Sequence, residues 1–594
     1  MIEARVYRAA FIPALLAVVL AMFSFQSRPG PLPQGLAADV LFDGEEAARL
    51  ATRIATDQPD RRAGEPGDAA TAAFVADSGD SLEARGFQVE RQRFTHAGRE
   101  LENVIGRRAG SSRRQIVIVA ARDAPAVPDA PGSASDTAAL LELARVFEGR
   151  PSRRTLVLAS VDGSYLGEVG TERLLSELGS PAFVDAVIVM SSLGSDAEEA
   201  SVQAWSNGSR RAGIGLQRTV EGSIREELER EAGGNGLLGQ LSRLAFPVGI
   251  GPQGVLVANG YDSVRISGSG ELPEPGDGPV EAIDEDRLGA LGRATLRTVT
   301  ALDQGRRPAR GPDSYLLVVS QVLPGWIISL LAGTLLLPVA VASVDAFARA
   351  RRRQIDVLPW LRFVGAWVAP FLAALALAEL LALTGATPTP PPAPVPPEVL
   401  PLDGPALGVL GGLAAAMLLA FALARWLAAR PDPQLKQPGV PAAAVAVALA
   451  LSLGCMLLWA LNPYAGLLAV PAAHLWMLAV LTRPLPPRRG RMLMVSLGLV
   501  SPLLVVLYYS FALSLDPLAG AWYLVMLVTG HSVGFATALV GCLLAGVACA
   551  VAELAWRTPE EQETPPDEQR PSVYGPGAYA GPGSLGGTSS ALER

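Results

Sequence analysis

The feature that most limits the folds open to this chain is its C-terminal half, where apolar blocks follow one another with almost no charge between them. Residues 437–481 and 492–515 contain no Asp, Glu, Lys or Arg. About 20 apolar residues suffice to cross the ~30 Å hydrocarbon layer of a bilayer. Seven blocks after residue 312 are that long, at approximately 324–345, 361–384, 405–427, 440–461, 463–481, 492–512 and 530–555. At the N-terminus Arg5 and Arg8 precede an apolar run from Phe11 to Phe25, followed by a Pro/Gly-rich stretch from Arg28 to Gly35. Residues 1–28 therefore read as an anchor or a signal segment, and the anchor is favoured because no small-x-small cleavage site directly follows the run. With it the expected spans number eight. The stretch Ala519–Trp556 is too long for one perpendicular helix, so a re-entrant or interfacial piece near 520–529 is expected.

Cytoplasmic loops are enriched in Lys and Arg, and here the basic residues alternate with the spans. Arg349, Arg351, Arg352 and Arg353 follow the first block, Arg430 and Lys436 the third, and Arg483, Arg488, Arg489 and Arg491 the fifth. The Pro-rich loop 385–403, the Asn462-Pro463 turn and the segment 513–519 carry no basic residue. The first group is expected inside and the second outside, which makes residues 30–312 extracytoplasmic. The expected organisation is a linker over 29–44, an exported domain over 45–305, a seven-helix membrane domain over 312–556 and a disordered cytoplasmic tail over 557–594.

Composition narrows the function classes. Lys436 is the only lysine among 49 basic residues, a bias with no basic face behind it, so a nucleic-acid partner is not expected. The three cysteines, Cys455, Cys542 and Cys549, all lie in apolar runs, which leaves the exported part without disulfides or a thiolate metal site. The three histidines are His96, His474 and His531.

Residues 45–305 alternate strand and helix signals, the pattern of an α/β domain with a mixed, mainly parallel sheet flanked by helices. Gln115–Ala121, Thr155–Val161, Ala186–Met190 and Ser263–Ser267 read as buried strands, and Val89–Phe94 and Leu101–Gly106 as edge strands. Thr137–Glu148 reads as a helix behind a Ser135/Asp136 cap, and Glu285–Leu302 as a closing helix.

In order along this domain stand Arg62-Ala63-Gly64, Ala73-Phe74, Gly86-Phe87, Asn103-Val104-Ile105-Gly106, Ala120-Ala121-Arg122-Asp123, Ser135-Asp136-Thr137 through Leu141–Arg145, and Asp162–Gly167. This series resembles metallopeptidase family 28, the two-zinc aminopeptidases related to aminopeptidase Y and glutamate carboxypeptidase II. The resemblance implies a zinc-aminopeptidase-like fold over 45–305. Such enzymes use two metal ions to activate water and stabilise the developing charge, with a separate Glu as base.

Carried over position by position, the resemblance also implies a degenerate site. The first His ligand becomes Ala121, the base Glu becomes Ser164, the adjacent Glu ligand becomes Tyr165, the later Asp ligand falls at Ser191 and the last His near Gln253. Asp136, in the place of the bridging carboxylate, and Asp123, in the place of the orienting one, keep their chemistry. No zinc or other cofactor and no catalytic residue is then expected. Asp123, Asp136 and Asp162 remain a candidate binding cleft, because ligands gather at strand C-terminal ends in α/β sheets. The plainer reading makes Asp136 a helix cap and gives Asp123 and Asp162 to strand-end turns.

An anchor, a peptidase-like domain and then seven spans also resembles the layout of the endoplasmic-reticulum metallopeptidase and of the attachment subunit of the GPI transamidase. The expectation is a pseudo-peptidase in the cell membrane that binds or scaffolds a protein or lipid-linked partner at the outer face, in contact with membrane lipids. Two alternatives stand beside it, an active membrane-bound metallo-exopeptidase with rearranged ligands and a lipid-handling or transport protein acting through its spans. For the latter the intramembrane candidates are Glu379, His474 and His531, since ionisable groups in spans are costly and functional by default.

Overall fold

The computed structural model describes residues 3–33, 41–273, 277–319, 321–428 and 441–557. The expected tail and the loop that carries Arg430 and Lys436 lie outside the described residues.

The N-terminal helices α1 (Ala4–Ala9) and α2 (Ile12–Phe23) lead into a two-residue strand, β1 (Gln26–Ser27). The α/β domain then runs α3 (Gly44–Asp57), α4 (Pro66–Ala76), β2 (Gln88–His96), β3 (Arg99–Arg108), β4 (Ser112–Ala121), α5 (Ser135–Phe147), β5 (Arg154–Val161), α6 (Val169–Leu178) and β6 (Val184–Ser191). It continues with β7 (Ser201–Gln203), α7 (Ile214–Leu228), α8 (Leu237–Ala245), α9 (Pro252–Ala258), β8 (Ser263–Ser267) and α10 (Glu285–Gln304). Asp43 and Asp284 cap α3 and α10 by accepting from the N–H groups of Glu46 and Arg287 at 3.1 and 2.8 Å.

The seven strands lie in the order β2-β3-β5-β4-β6-β8-β7. The four central strands are parallel, and β2, β3 and β7 add antiparallel edges. β4 is apolar at successive positions because both of its faces are covered. Ile116, Ile118 and Ala120 pack into the core beneath α3, α5, α7 and α10, while Val117 and Val119 meet Leu174, Leu178 and Leu256 from α6 and α9. One expectation is corrected here. Leu101–Gly106 is not an edge strand, because the hairpin with β2 places β3 between β2 and β5.

After the α/β domain, β9 (Tyr315–Val318) and β10 (Gln321–Pro324) form a hairpin whose outer edge pairs with β1. The helical part follows as α11 (Gly325–Arg352), α12 (Leu358–Leu383), α13 (Gly404–Ala428), α14 (Pro441–Leu461), α15 (Pro463–Leu481), α16 (Arg488–Gly498), α17 (Val500–Ala512), α18 (Pro517–Thr529) and α19 (Phe535–Arg557). Eight helical stretches among the described residues are long and apolar enough to cross a membrane, with α1–α2 and α16–α17 each counting as one. That number of apolar helices fits a multi-pass membrane protein. α18 is the shorter apolar piece anticipated near 520–529.

The bundle centres on α14, whose Ala442–Ala448 are buried. Small residues there let neighbouring backbones approach closely. At Gly546 in α19, a Cβ would come within 2.6 Å of the Val368 Cα in α12.

Candidate functional site

The C-terminal ends of the parallel strands bring the expected cleft residues together, and the chain has turned them inward. Asp123, Asp136 and Asp162 are 0, 3 and 0% exposed. Asp123 accepts from the N–H groups of Ser164 and Tyr165 at 3.1 and 3.0 Å, which ties the end of β4 to the turn after β5. Asp136 accepts from the N–H groups of Ser192 and Leu193 at 2.8 and 3.0 Å, clamping the first turn of α5 to the end of β6.

This corrects the cap reading of Asp136. Five residues, Ala130–Ala134, already form a helical turn ahead of α5, with Asp129 accepting from the Ser133 N–H at 2.8 Å. Asp136 therefore falls inside the helix, and its side chain is free to reach across to β6.

Asp162 belongs to a buried ion cluster. The Arg122 guanidinium, fully enclosed, binds Asp68 at 2.8 Å, stands 3.4 Å from Asp162 and donates to the Glu102 carbonyl at 2.7 Å. Asp162 also accepts from the Glu102 N–H at 2.9 Å. A buried charge is tolerated when it is paired and hydrogen-bonded; for Asp162, Arg122 supplies the pairing and the Glu102 N–H the hydrogen bond.

The other expected positions lie at strand ends, in a turn and at a helix start of the same α/β domain. Ala121 ends β4 opposite Val161, and Ser191 ends β6 opposite Ser267. Ser164 opens a short helical turn with its Oγ buried and without a hydrogen-bond partner. Gln253 begins α9 and donates from Nε2 to the Ile250 carbonyl at 2.7 Å. Tyr165 sits among the carboxylates. Burial, and next to it the charges of Asp129, Asp123 and Asp136, push its hydroxyl pKa well above the ordinary tyrosine range.

Two residues of the site were not singled out in the sequence. Arg265, buried at the centre of β8, is close enough to draw down the pKa values of Asp136 and Glu168. Its Nη2 donates to the Glu271 carbonyl at 2.8 Å. Glu168, 3% exposed, accepts from the Thr171 hydroxyl at 2.8 Å. Burial dominates its electrostatics and raises its carboxyl to about 8, and it likewise carries Asp136 up to about 8 against the pull of its two N–H donors. An arginine in the middle of a buried strand was the available signal for Arg265. Glu168 directly follows the Asp162–Gly167 motif.

The membrane part roofs this region. In the loop 385–403, Pro391 and Pro392 stand over Gly167, where a Cβ would come within 2.4 Å of the Pro392 Cδ and where φ is +95°. Val395 of that loop is held by the Tyr523 hydroxyl of α18 at 2.8 Å.

The intramembrane candidates separate. His474 lies within α15, where its Nε2 donates to the Leu335 carbonyl at 2.8 Å and its Nδ1 accepts from the Tyr7 hydroxyl at 2.6 Å. Glu379 lies in the last turns of α12 with Oε1 buried and without a hydrogen-bond partner. His531 is not within a span; it is an exposed turn residue between α18 and α19 with φ +58°. An ionisable group missed by the sequence reading is Glu553 in α19, which pairs with Arg425 at 2.9 Å and Arg557 at 3.0 Å.

Compared by sequence, the chain matches no family model and no curated protein. Compared by structure, it is similar to a zinc aminopeptidase from Bacillus subtilis, at 14% identity and TM-score 0.37, over 46% of this chain and 98% of the other. It is also similar to an Acidobacteriales bacterium glutaminyl cyclase, at 17% identity and TM-score 0.35, over 47% of this chain and 99% of the other. A zinc-dependent exopeptidase from Parabacteroides distasonis aligns at 17% identity and TM-score 0.35, over 43% and 98% of the two chains.

Proposed function

We propose that this chain is a non-catalytic member of the zinc-aminopeptidase-like group, anchored in the cell membrane, whose α/β domain binds or scaffolds a protein or lipid-linked partner at the outer face. The observation that carries the reading is the state of the two retained carboxylates. Asp123 and Asp136 each have both oxygens engaged by backbone N–H groups. The described residues bring together no group of three or more His, Cys, Asp or Glu side chains able to hold a metal ion. A catalytic zinc is held by three protein ligands and keeps an open position for water, so the residues present do not fit a two-zinc centre and no hydrolytic step is derived through one.

The charge balance supports the same reading. A metal site surrounds a cation with carboxylates, and here Arg122 is the cation between Asp68 and Asp162, while Arg265 lies near Asp136 and Glu168, whose carboxyls burial raises to about 8. Tyr165 lies near Asp129, Asp123 and Asp136, and the Pro-rich loop adds cover at Gly167. The alternation of basic loops supports an extracytoplasmic domain. Exopeptidase and glutaminyl-cyclase assays of the purified full chain, supplied with Zn²⁺, test this function. No turnover is expected; turnover that Asp136→Ala abolishes would overturn it.

A further inference from the structure

Helix α8 of the α/β domain is built inside out. Leu237 and Leu238, in its first turn, are 49 and 43% exposed, and Leu241 and Ala245, one and two turns further along, are half-buried. Its polar residues Gln240, Ser242 and Arg243 are buried in the protein instead. Gln240 accepts from the Leu317 N–H at 2.8 Å and donates to the Leu317 carbonyl at 3.2 Å. Arg243 donates to the Val248 carbonyl at 2.8 Å and pairs with Glu271. A helix that faces water turns its polar side outward and its apolar stripe to the core. Single exposed leucines are ordinary on a protein surface, but this reversal of both sides of one helix is the pattern expected where the outer side meets lipid.

The helix is held where the apolar spans end. Tyr508 and Tyr509 lie in the last turns of α17, and tyrosines gather at membrane–water interfaces. The Tyr508 hydroxyl accepts from Arg243 Nε at 2.9 Å and donates to Asn235 Oδ1 at 3.2 Å, while the Tyr509 hydroxyl donates to the Phe246 carbonyl. Asn462, in the turn between α14 and α15, donates to the Leu244 carbonyl at 2.8 Å. Tyr508 is about 6 Å along α17 from the end of that helix, at ~1.5 Å per residue, and interfacial helices lie at depths of about 5–10 Å. Phe511, one turn beyond Tyr508 on the same face of α17, is 83% exposed, so the apolar surface of that span borders α8.

We propose that α8 is an interfacial helix, seated in the domain-side leaflet with Leu237 and Leu238 among the lipid head groups and upper acyl chains. The partner is the bilayer surface itself. Because Arg243 pairs with Glu271, just past the end of β8, seating α8 also places the strand ends that carry the candidate cleft on the bilayer side of the domain. The inference rests on the long apolar helices being spans and is independent of metal content and turnover.

The test uses the full chain with Cys455, Cys542 and Cys549 replaced by Ala and a single cysteine introduced for an environment-sensitive NBD label. Four variants are compared in phosphatidylcholine vesicles: Leu237→Cys, Leu238→Cys, Phe511→Cys within the span, and Phe183→Cys, at a 55% exposed position just before β6 and thus at the opposite end of the sheet. Phosphatidylcholine carrying a nitroxide high on its acyl chain should roughly halve the fluorescence of the labels at Leu237→Cys and Leu238→Cys, as at Phe511→Cys, and leave Phe183→Cys unchanged, the result for a helix seated ~5–10 Å into the leaflet. Quenching at Phe511→Cys but at neither leucine position, or equal quenching at Phe183→Cys, would overturn the interfacial helix. Absence of quenching at Phe511→Cys would overturn the spans on which it rests.

Discussion

Asp136, in the first turn of α5, accepts the backbone N–H of Ser192 at 2.8 Å across the C-terminal edge of the sheet. The carboxylate thereby acts as a brace between a helix and a strand. Its second oxygen does the same for Leu193 at 3.0 Å, so removing the side chain orphans two buried donors.

Each orphaned donor costs about 1–3 kcal/mol, so Asp136→Ala is expected to destabilise the α/β domain by roughly 2–6 kcal/mol. Asp136→Asn, which keeps one carbonyl oxygen as an acceptor, should lose less. Thermal unfolding of the detergent-solubilised full chain checks the order of the two variants. A helix cap alone would cost only about 1 kcal/mol.

Arg122 supports two buried carboxylates at once, Asp68 at 2.8 Å and Asp162 at 3.4 Å. Breaking a buried pair by removing one partner costs about 3–5 kcal/mol. Arg122→Met should therefore lower the unfolding temperature more than any exposed Arg→Met change, such as Arg93→Met. Limited proteolysis of the α/β domain reads the same loss.

Glu168 gives a pH dependence with a definite sign. Its folded carboxyl titrates at about 8, against an ordinary value of 4.5, because burial penalises the anion. Between those values the folded state holds the proton more tightly than the unfolded state, so stability falls as pH rises through the window and is greatest below it. Glu168→Gln, which retains an acceptor for Thr171, should shallow the decline in unfolding temperature between about pH 5 and pH 8. An unchanged slope would contradict a buried, proton-binding Glu168.

The N-terminal helix is tied to the bundle by the Tyr7–His474 bond of 2.6 Å, and β1 pairs with β10. These contacts favour retention of the segment as an anchor. Intact-mass measurement should find residues 4–23 in the mature protein, and Tyr7→Phe should cost about 1 kcal/mol, within the range of interhelical hydrogen bonds in membranes.

The spans and central strands were readable in the sequence because their patterns are long and unambiguous: continuous apolar blocks for helices, and runs such as Gln115–Ala121 for strands covered on both faces. β7 was not, since three residues carry no period. β2, polar and half exposed, takes the edge as expected, whereas β3 is covered by β2 on one side and β5 on the other, a pairing that its own residues do not reveal. At the site, motif order sets Asp123 after β4, Asp136 in the first turn of α5 and Asp162 after β5. Their hydrogen bonds were not readable, because an Asp next to a helix start has the same sequence appearance whether it caps that helix or braces a distant strand. Arg265 becomes part of the site only through the β6–β8 pairing, a contact between residues distant in sequence.

The most direct measurement is the zinc content of the full chain after exposure to stoichiometric Zn²⁺ and desalting, determined by elemental analysis. With Asp123 and Asp136 committed to backbone donors and Arg265 set among the carboxylates, the protein should retain no zinc above background. Retention of about two ions per chain, the complement of a dinuclear hydrolase, would contradict the account and return the domain to metal-dependent catalysis.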